Sequence, residues 1–161
     1  MYNMTHGGDN VAIGTSALDI DTKGSRTVAV GRNALGAQNF TSETDTHNTA
    51  VGYRSMANMT TGGNNVCLGS SILDVCTTGN YNSAIGHDPA RNITTGNNNV
   101  CLGHAAGHSS SPSGAITTGS NNVVLVNNST SNLYCADTSI SSSDARDKTC
   151  LLYTSPSPRD T

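Results

Sequence analysis

The chain has 161 residues, of which 34% are hydrophobic and 4% aromatic, with no Trp and a single Phe at position 40. That is lean for a globular core, where nearer half the residues are apolar, yet a formal net charge of −3 is far too small to hold a chain open by self-repulsion. The near-neutral balance gives no footprint for nucleic acid or a membrane surface, and no signal peptide or run of about 18 apolar residues that could insert in a bilayer is found.

In chain order the same short phrase keeps returning. Asn10-Val11-Ala12-Ile13-Gly14 is followed by Thr27-Val28-Ala29-Val30-Gly31, Asn48-Thr49-Ala50-Val51-Gly52 and Asn65-Val66-Cys67-Leu68-Gly69. Asn82-Ser83-Ala84-Ile85-Gly86 and Asn99-Val100-Cys101-Leu102-Gly103 come next, then a decayed copy, Asn122-Val123-Val124-Leu125-Val126. The closing residues are 17, 21, 17, 17, 17 and 23 positions apart. Self-similarity at a short, nearly fixed period marks a stacked, quasi-one-dimensional architecture.

Aligned on the glycine, the preceding residue is always a large aliphatic, the one before that nearly always small, and the one before that mostly Val. Period-2 alternation places the large column and the Val column on one strand face and the small column on the other. With both faces apolar, each strand is expected to be covered on both sides. One flattened coil can hide only one face, so the small column is expected to pack against sister chains near a common axis, giving a threefold homo-oligomer. Seven residues before the closing position comes a turn marker, Gly7, Gly24, Asp45, Gly62, Gly79, Gly96 and Gly119, with Asp45 acceptable if φ is positive there. Thr-Thr-Gly ends at 62, 79, 96 and 119. Four residues past the glycine lie Leu18, Leu35, Met56 and Leu73, shrinking to Ala90 and Gly107, so the core is expected to thin toward the C-terminus.

A coil of about 17 residues carrying two short elements predicts an all-β chain, a parallel β-roll or β-helix solenoid with like residues stacked about 4.8 Å apart. Helices are disfavoured, since Gly recurs in every unit at about 1 kcal/mol each. Gly14, Gly31, Gly52, Gly69, Gly86 and Gly103 are the structural repeat glycines. The Asn column (10, 48, 65, 82, 99, 122) predicts a ladder of side-chain amides. Ser111-Pro112-Ser113-Gly114 marks an inserted loop.

The phrase Asn-x-Ala-Ile-Gly, preceded by Thr-Thr-Gly-Asn-Asn-Asn, resembles the head repeats of trimeric autotransporter adhesins and, still more, the repeat shafts of bacteriophage tail fibres and tailspikes. That resemblance covers roughly residues 7–127 and implies a left-handed, homotrimeric β-roll. Further on, Ser143-Asp144-Ala145-Arg146-Asp147-Lys148 resembles the opening of the intramolecular chaperone auto-processing domain that follows such shafts. The likeness implies a cut between Ser142 and Ser143, with Ser143 as nucleophile and Lys148 as its general base. A serine hydroxyl needs a nearby base, and lysine serves only when desolvation lowers its pKa. Asp147 stands where many relatives carry leucine. A working dyad is expected only in a longer parent, because burying the lysine needs on the order of a hundred further residues. The implied organisation is a β-roll shaft at 1–127, a Ser/Thr/Asn-rich linker at 128–142 and a truncated start of the chaperone domain at 143–149. Residues 150–161, with Pro156 and Pro158 and no register, resemble a translated sequencing adapter at the end of a metagenomic fragment.

The leading expectation is therefore a structural shaft of a phage tail fibre. It would belong to the virion, assemble in the host cytoplasm, associate with itself, and meet a host-surface glycan or protein. The alternative is a trimeric autotransporter-type adhesin head on a bacterial surface. A carbohydrate-cleaving tailspike is third, since Asp19, Asp21, Glu43, Asp45, Asp74 and Asp88 share no column. No enzyme activity, cofactor or metal is expected of the fragment. His87 and His104 share a column and could stack or hold an ion, but their neighbours there are Thr15, Arg32, Tyr53, Ser70 and Asn127, a solvated edge. Cys67 and Cys101 stand where other copies carry Ala and read as reduced, small apolar fillers; Cys76, Cys135 and Cys150 complete no metal or redox spacing. Asn-x-Thr sequons at 3, 39, 58, 92 and 128 fit chance in so Asn- and Thr-rich a chain.

Overall fold

Stacking the repeats in space makes each sequence column a physical row. The computed structural model describes residues 5–131. Most of the 128–142 linker, Cys135, the segment holding Ser142, Ser143 and Lys148, and the 150–161 tail with Cys150 lie outside the described residues.

Among the described residues nine short strands occur: β1 (Val11–Ile13), β2 (Gly24–Ser25), β3 (Val28–Val30), β4 (Thr44–Asp45), β5 (Thr49–Val51), β6 (Val66–Ser70), β7 (Ser83–His87), β8 (Val100–Leu102) and β9 (Val123–Val124). Seven form one sheet in the order β1-β3-β5-β6-β7-β8-β9, and β2 and β4 pair in a second. All pairings are parallel, and no helix occurs among the described residues. The chain is an all-β, parallel β-solenoid. Its register follows the glycine alignment position by position: Ala12, Ala29, Ala50, Cys67, Ala84, Cys101 and Val124 form one continuous row. The 21- and 23-residue steps leave that register intact, because their extra residues sit outside the strands. In the last step the backbones on either side of the insertion meet, Ile116 N–H donating to Gly107 O at 3.1 Å.

The strands end where the repeat glycines turn the chain. Gly14, Gly31, Gly52, Gly69, Gly86 and Gly103 have φ between +101° and +136°. A Cβ on Gly14 would lie 2.7 Å from the carbonyl oxygen of Gly31 in the next coil, so these positions need both the φ freedom and the bare backbone. Past the glycine, residues two and four positions on are left-handed as well: Ser16 and Leu18, Asn33 and Leu35, Arg54 and Met56, Ser71 and Leu73, Asp88 and Ala90. Gly107 takes the same role at φ +76°. For a residue with a Cβ, the left-handed region costs roughly 1–2 kcal/mol, and it persists here because the stacked coils fix it from both sides. The turn marker behaves differently. Asp45 and the Gly24, Gly62, Gly79, Gly96 and Gly119 positions do not carry positive φ, which corrects the expectation for Asp45. Gly79 is bare for want of space, since a Cβ there would meet the oxygen of Gly96 at 2.6 Å and the Cys76 sulfur at 2.7 Å.

The core corrects the sequence reading in a second way. The small column faces inward: Ala29, Ala50, Cys67, Ala84 and Cys101 are fully buried within the chain itself. They do not face sister chains. Leu18, Leu35, Met56 and Leu73 fill the coil from the opposite wall, so the interior leaves room only for Ala or Cys beneath the sheet. The opposite wall thins toward the C-terminus, as expected, and is refilled only in part. Where the opposite wall shrinks to Ala90 and Gly107, Ile93 and Ile116 are buried in the same cluster, and Ile116 Cδ1 lies 3.6 Å from where a Gly107 Cβ would be. Met59, Cys76, Ile93 and Ile116 each stand just before Thr-Thr-Gly and form a third inward row.

Candidate functional site

Strand geometry allows only two faces, so an inward small column forces the large aliphatics outward. Ile13 is 59% exposed and Leu68 39%, against 0% for Cys67 between the outward positions of β6. Val11, Val66, Ile85, Val123 and Leu125 are exposed in the same columns, and Val28, Val30, Val51, Val100 and Leu102 are half-buried. Together they make an aliphatic face along the seven-stranded sheet, continuous in the column before the glycine and interrupted by Thr49 and Ser83 in the Val column. Parallel sheets almost always have both faces covered, and a contiguous apolar patch on a soluble chain marks a surface that meets something.

Along one edge of this face run buried amides. Asn65 Nδ2 donates to Asn48 Oδ1 at 3.3 Å, Asn82 to Asn65 at 3.2 Å, Asn99 to Asn82 at 3.0 Å and Asn122 to Asn99 at 2.8 Å. Each backbone N–H also donates to the preceding Asn oxygen, as Asn82 N does to Asn65 Oδ1 at 2.9 Å. In the wide second coil the ladder runs on into a polar core, where Asn48 Nδ2 donates to Gln38 Oε1 and Gln38 Nε2 to the buried Asp21 carboxylate. Sequence reasoning found the ladder but not this plug, which occurs once and so leaves no periodic signal.

Along the other edge runs the row just after the glycine: Thr15, Arg32, Tyr53, Ser70, His87, His104 and Asn127. His87 and His104 stack with ring centroids 5.7 Å apart. The Asn127 side-chain amide lies 3.0 Å from His104 Nδ1, and His87 Nδ1 is 3.3 Å from an Asp88 carboxylate oxygen. Among the described residues no three His, Cys, Asp or Glu side chains cluster in a way that could hold a metal ion. Arg54 grips Asp74, Nη2 reaching both carboxylate oxygens at 3.1–3.2 Å; Asp74 pushes the guanidinium pKa up, holding it charged.

Of the sequence-derived site residues, the six repeat glycines are brought into one stack, whereas Ser143 and Lys148 lie outside the described residues. Comparison with known proteins finds no match to a family model, a curated protein or a solved structure.

Proposed function

We propose that this chain is a stretch of structural shaft, a left-handed β-roll that associates with two further copies of itself through its outer aliphatic face. The best-fitting role is the shaft of a phage tail fibre, a virion part used in host attachment. The observation that carries the reading is the aliphatic face itself, whose large column runs without a polar residue from Ile13 to Leu125 on the outward side of a parallel sheet. A chain with so small a core of its own gains most from burying that face, at about 25 cal/mol per Å² of apolar surface removed from water. Quasi-one-dimensional stacks tolerate length, which suits a shaft. In a longer parent, Ser143 with Lys148 would release a C-terminal chaperone segment once the shaft had assembled.

Sedimentation of the full chain tests the reading. A threefold species is expected, and Val66→Thr, Leu68→Thr and Ile85→Thr together should yield a folded single subunit. A stable lone subunit in the unaltered chain would remove the proposal. In a parent that includes the complete downstream domain, Ser143→Ala should leave one uncut band; continued cleavage takes Ser143 out of that role.

A further inference from the structure

We infer that the hollow spanning the first three coils beside the aliphatic face binds a carboxylate-bearing sugar unit of an acidic polysaccharide. The hollow, about 250 Å³, is lined by Thr15, Ser16, Arg32, Asn33, Tyr53 and Arg54. These are the two residues after Gly14, Gly31 and Gly52, so three glycine turns set them side by side. Its charge is unbalanced. Arg54 is committed to Asp74, but the Arg32 guanidinium has only the Tyr53 ring, 5.8 Å from its carbon to the centroid, and no ion pair among the described residues. One net positive charge matches one carboxylate, and a guanidinium binds that planar group through two parallel N–H donors.

The rest of the lining selects the ligand class. Two hydroxyls, an amide and a phenol offer donors and acceptors suited to the hydroxyls of a sugar ring. A peptide is poorly served, because the backbone amides here are spent within the stack, Asn33 N donating to Thr15 O at 2.9 Å and Arg54 N to Arg32 O at 3.0 Å. Those spent amides also deny a phosphate the N–H cradle it favours. The feature is local rather than a property of the repeat. Two coils beyond Tyr53 and Arg54, the equivalent positions are His87 and Asp88, which carry no guanidinium and put a carboxylate in the Arg54 position. The inference deepens the attachment reading, and it rests on that reading only for placing the glycan on a host surface. The hollow itself is complete within one chain.

The test uses the full chain titrated calorimetrically with a polyuronate oligosaccharide and with the same oligosaccharide after carboxyl reduction. Binding to the acidic form alone is expected. Arg32→Gln should weaken it roughly ten- to hundredfold, the worth of one charge-assisted pair. Arg91→Gln, which removes a charge elsewhere on the surface, should leave affinity within about twofold, a few tenths of a kcal/mol. Equal binding of the reduced sugar, equal loss in Arg91→Gln, equally good competition by inorganic phosphate or polyglutamate, or no binding at all would each overturn the inference. Sedimentation of the same samples keeps the two proposals apart: a lone subunit that binds polyuronate sinks only the shaft, and a trimer that binds none sinks only the hollow.

Discussion

Gly69 carries two separate demands, and a single methyl group tests both. Its φ of +131° is open to glycine but strained for any other residue, and a Cβ there would be driven into the carbonyl oxygen of Gly86. Relief would require parting two hydrogen-bonded coils, so Gly69→Ala should lower stability by about 3 kcal/mol or more in urea unfolding. Gly8 has open space around its would-be Cβ, and Gly8→Ala should stay within about 0.5 kcal/mol. Equal effects would mean the glycine stack does not set the coil spacing. The buried thiols make a second prediction at this scale. Burial pushes up the pKa of Cys67 and Cys76, and that of Cys101 to about 11. Above about pH 9 the unfolded chain loses thiol protons that the native chain keeps, so alkali favours unfolding. Stability should fall from about pH 9 to about pH 11, and Cys67→Ala with Cys101→Ala, which restores the commoner residue of that row, should flatten the slope. An unchanged slope would exclude these thiols as its cause.

The rows between coils show what can be read from a sequence and what cannot. Asn82 donates to Asn65 Oδ1 and Gly96 O and accepts from both the N–H and the side-chain amide of Asn99, all inside the chain. Asn82→Ala leaves several buried partners unsatisfied and should cost about 2–4 kcal/mol. Asn97, whose oxygen accepts from Asn80 in an exposed ladder, should cost under about 1 kcal/mol when changed to Ala, since water replaces its bonds. Similar losses at both sites would mean burial does not distinguish the ladders. The register and the Asn ladder were legible because both depend on like residues recurring at one offset, and stacking is what makes them recur. Which strand face points inward was not. Large aliphatics usually mark the inside, but here the depth of the interior is set by Leu18, Leu35, Met56 and Leu73 across the coil, and a single strand's alternation holds no information about its opposite wall. The Met59, Cys76, Ile93 and Ile116 row was available in the sequence, one residue before each Thr-Thr-Gly. The Arg32–Tyr53 hollow was not, because it joins neighbouring copies that differ from the rest.

For the molecule as a whole, stability in a stack is a sum over coils and their contacts, so the ends must be weaker than the middle. The strongest part is expected at β6 and β7, the two five-residue strands, in the stretch where Met56, Met59, Ile72 and Leu73 are fully buried. Toward the C-terminus β9 is cut to two residues, the closing glycine is replaced by Val126, and among the described residues no further strand of the sheet follows β9. Hydrogen exchange should therefore be slowest at the amides of Val66–Leu68 and Ser83–Ile85 and much faster at Val123 and Val124. Two substitutions separate a graded stack from an all-or-none domain. Ala84→Asp puts a carboxylate among apolar side chains at the centre of the core, a cost of several kcal/mol, and should break protection on both sides of it. Val124→Asp imposes the same chemistry at the end and should expose only the last coil, leaving β6 and β7 as protected as before. If Val124→Asp removes protection throughout, the coils do not act as nearest-neighbour units. The stability of any longer shaft built from this repeat would then rest on global cooperativity, and the outer aliphatic face would have to be judged as one surface rather than coil by coil.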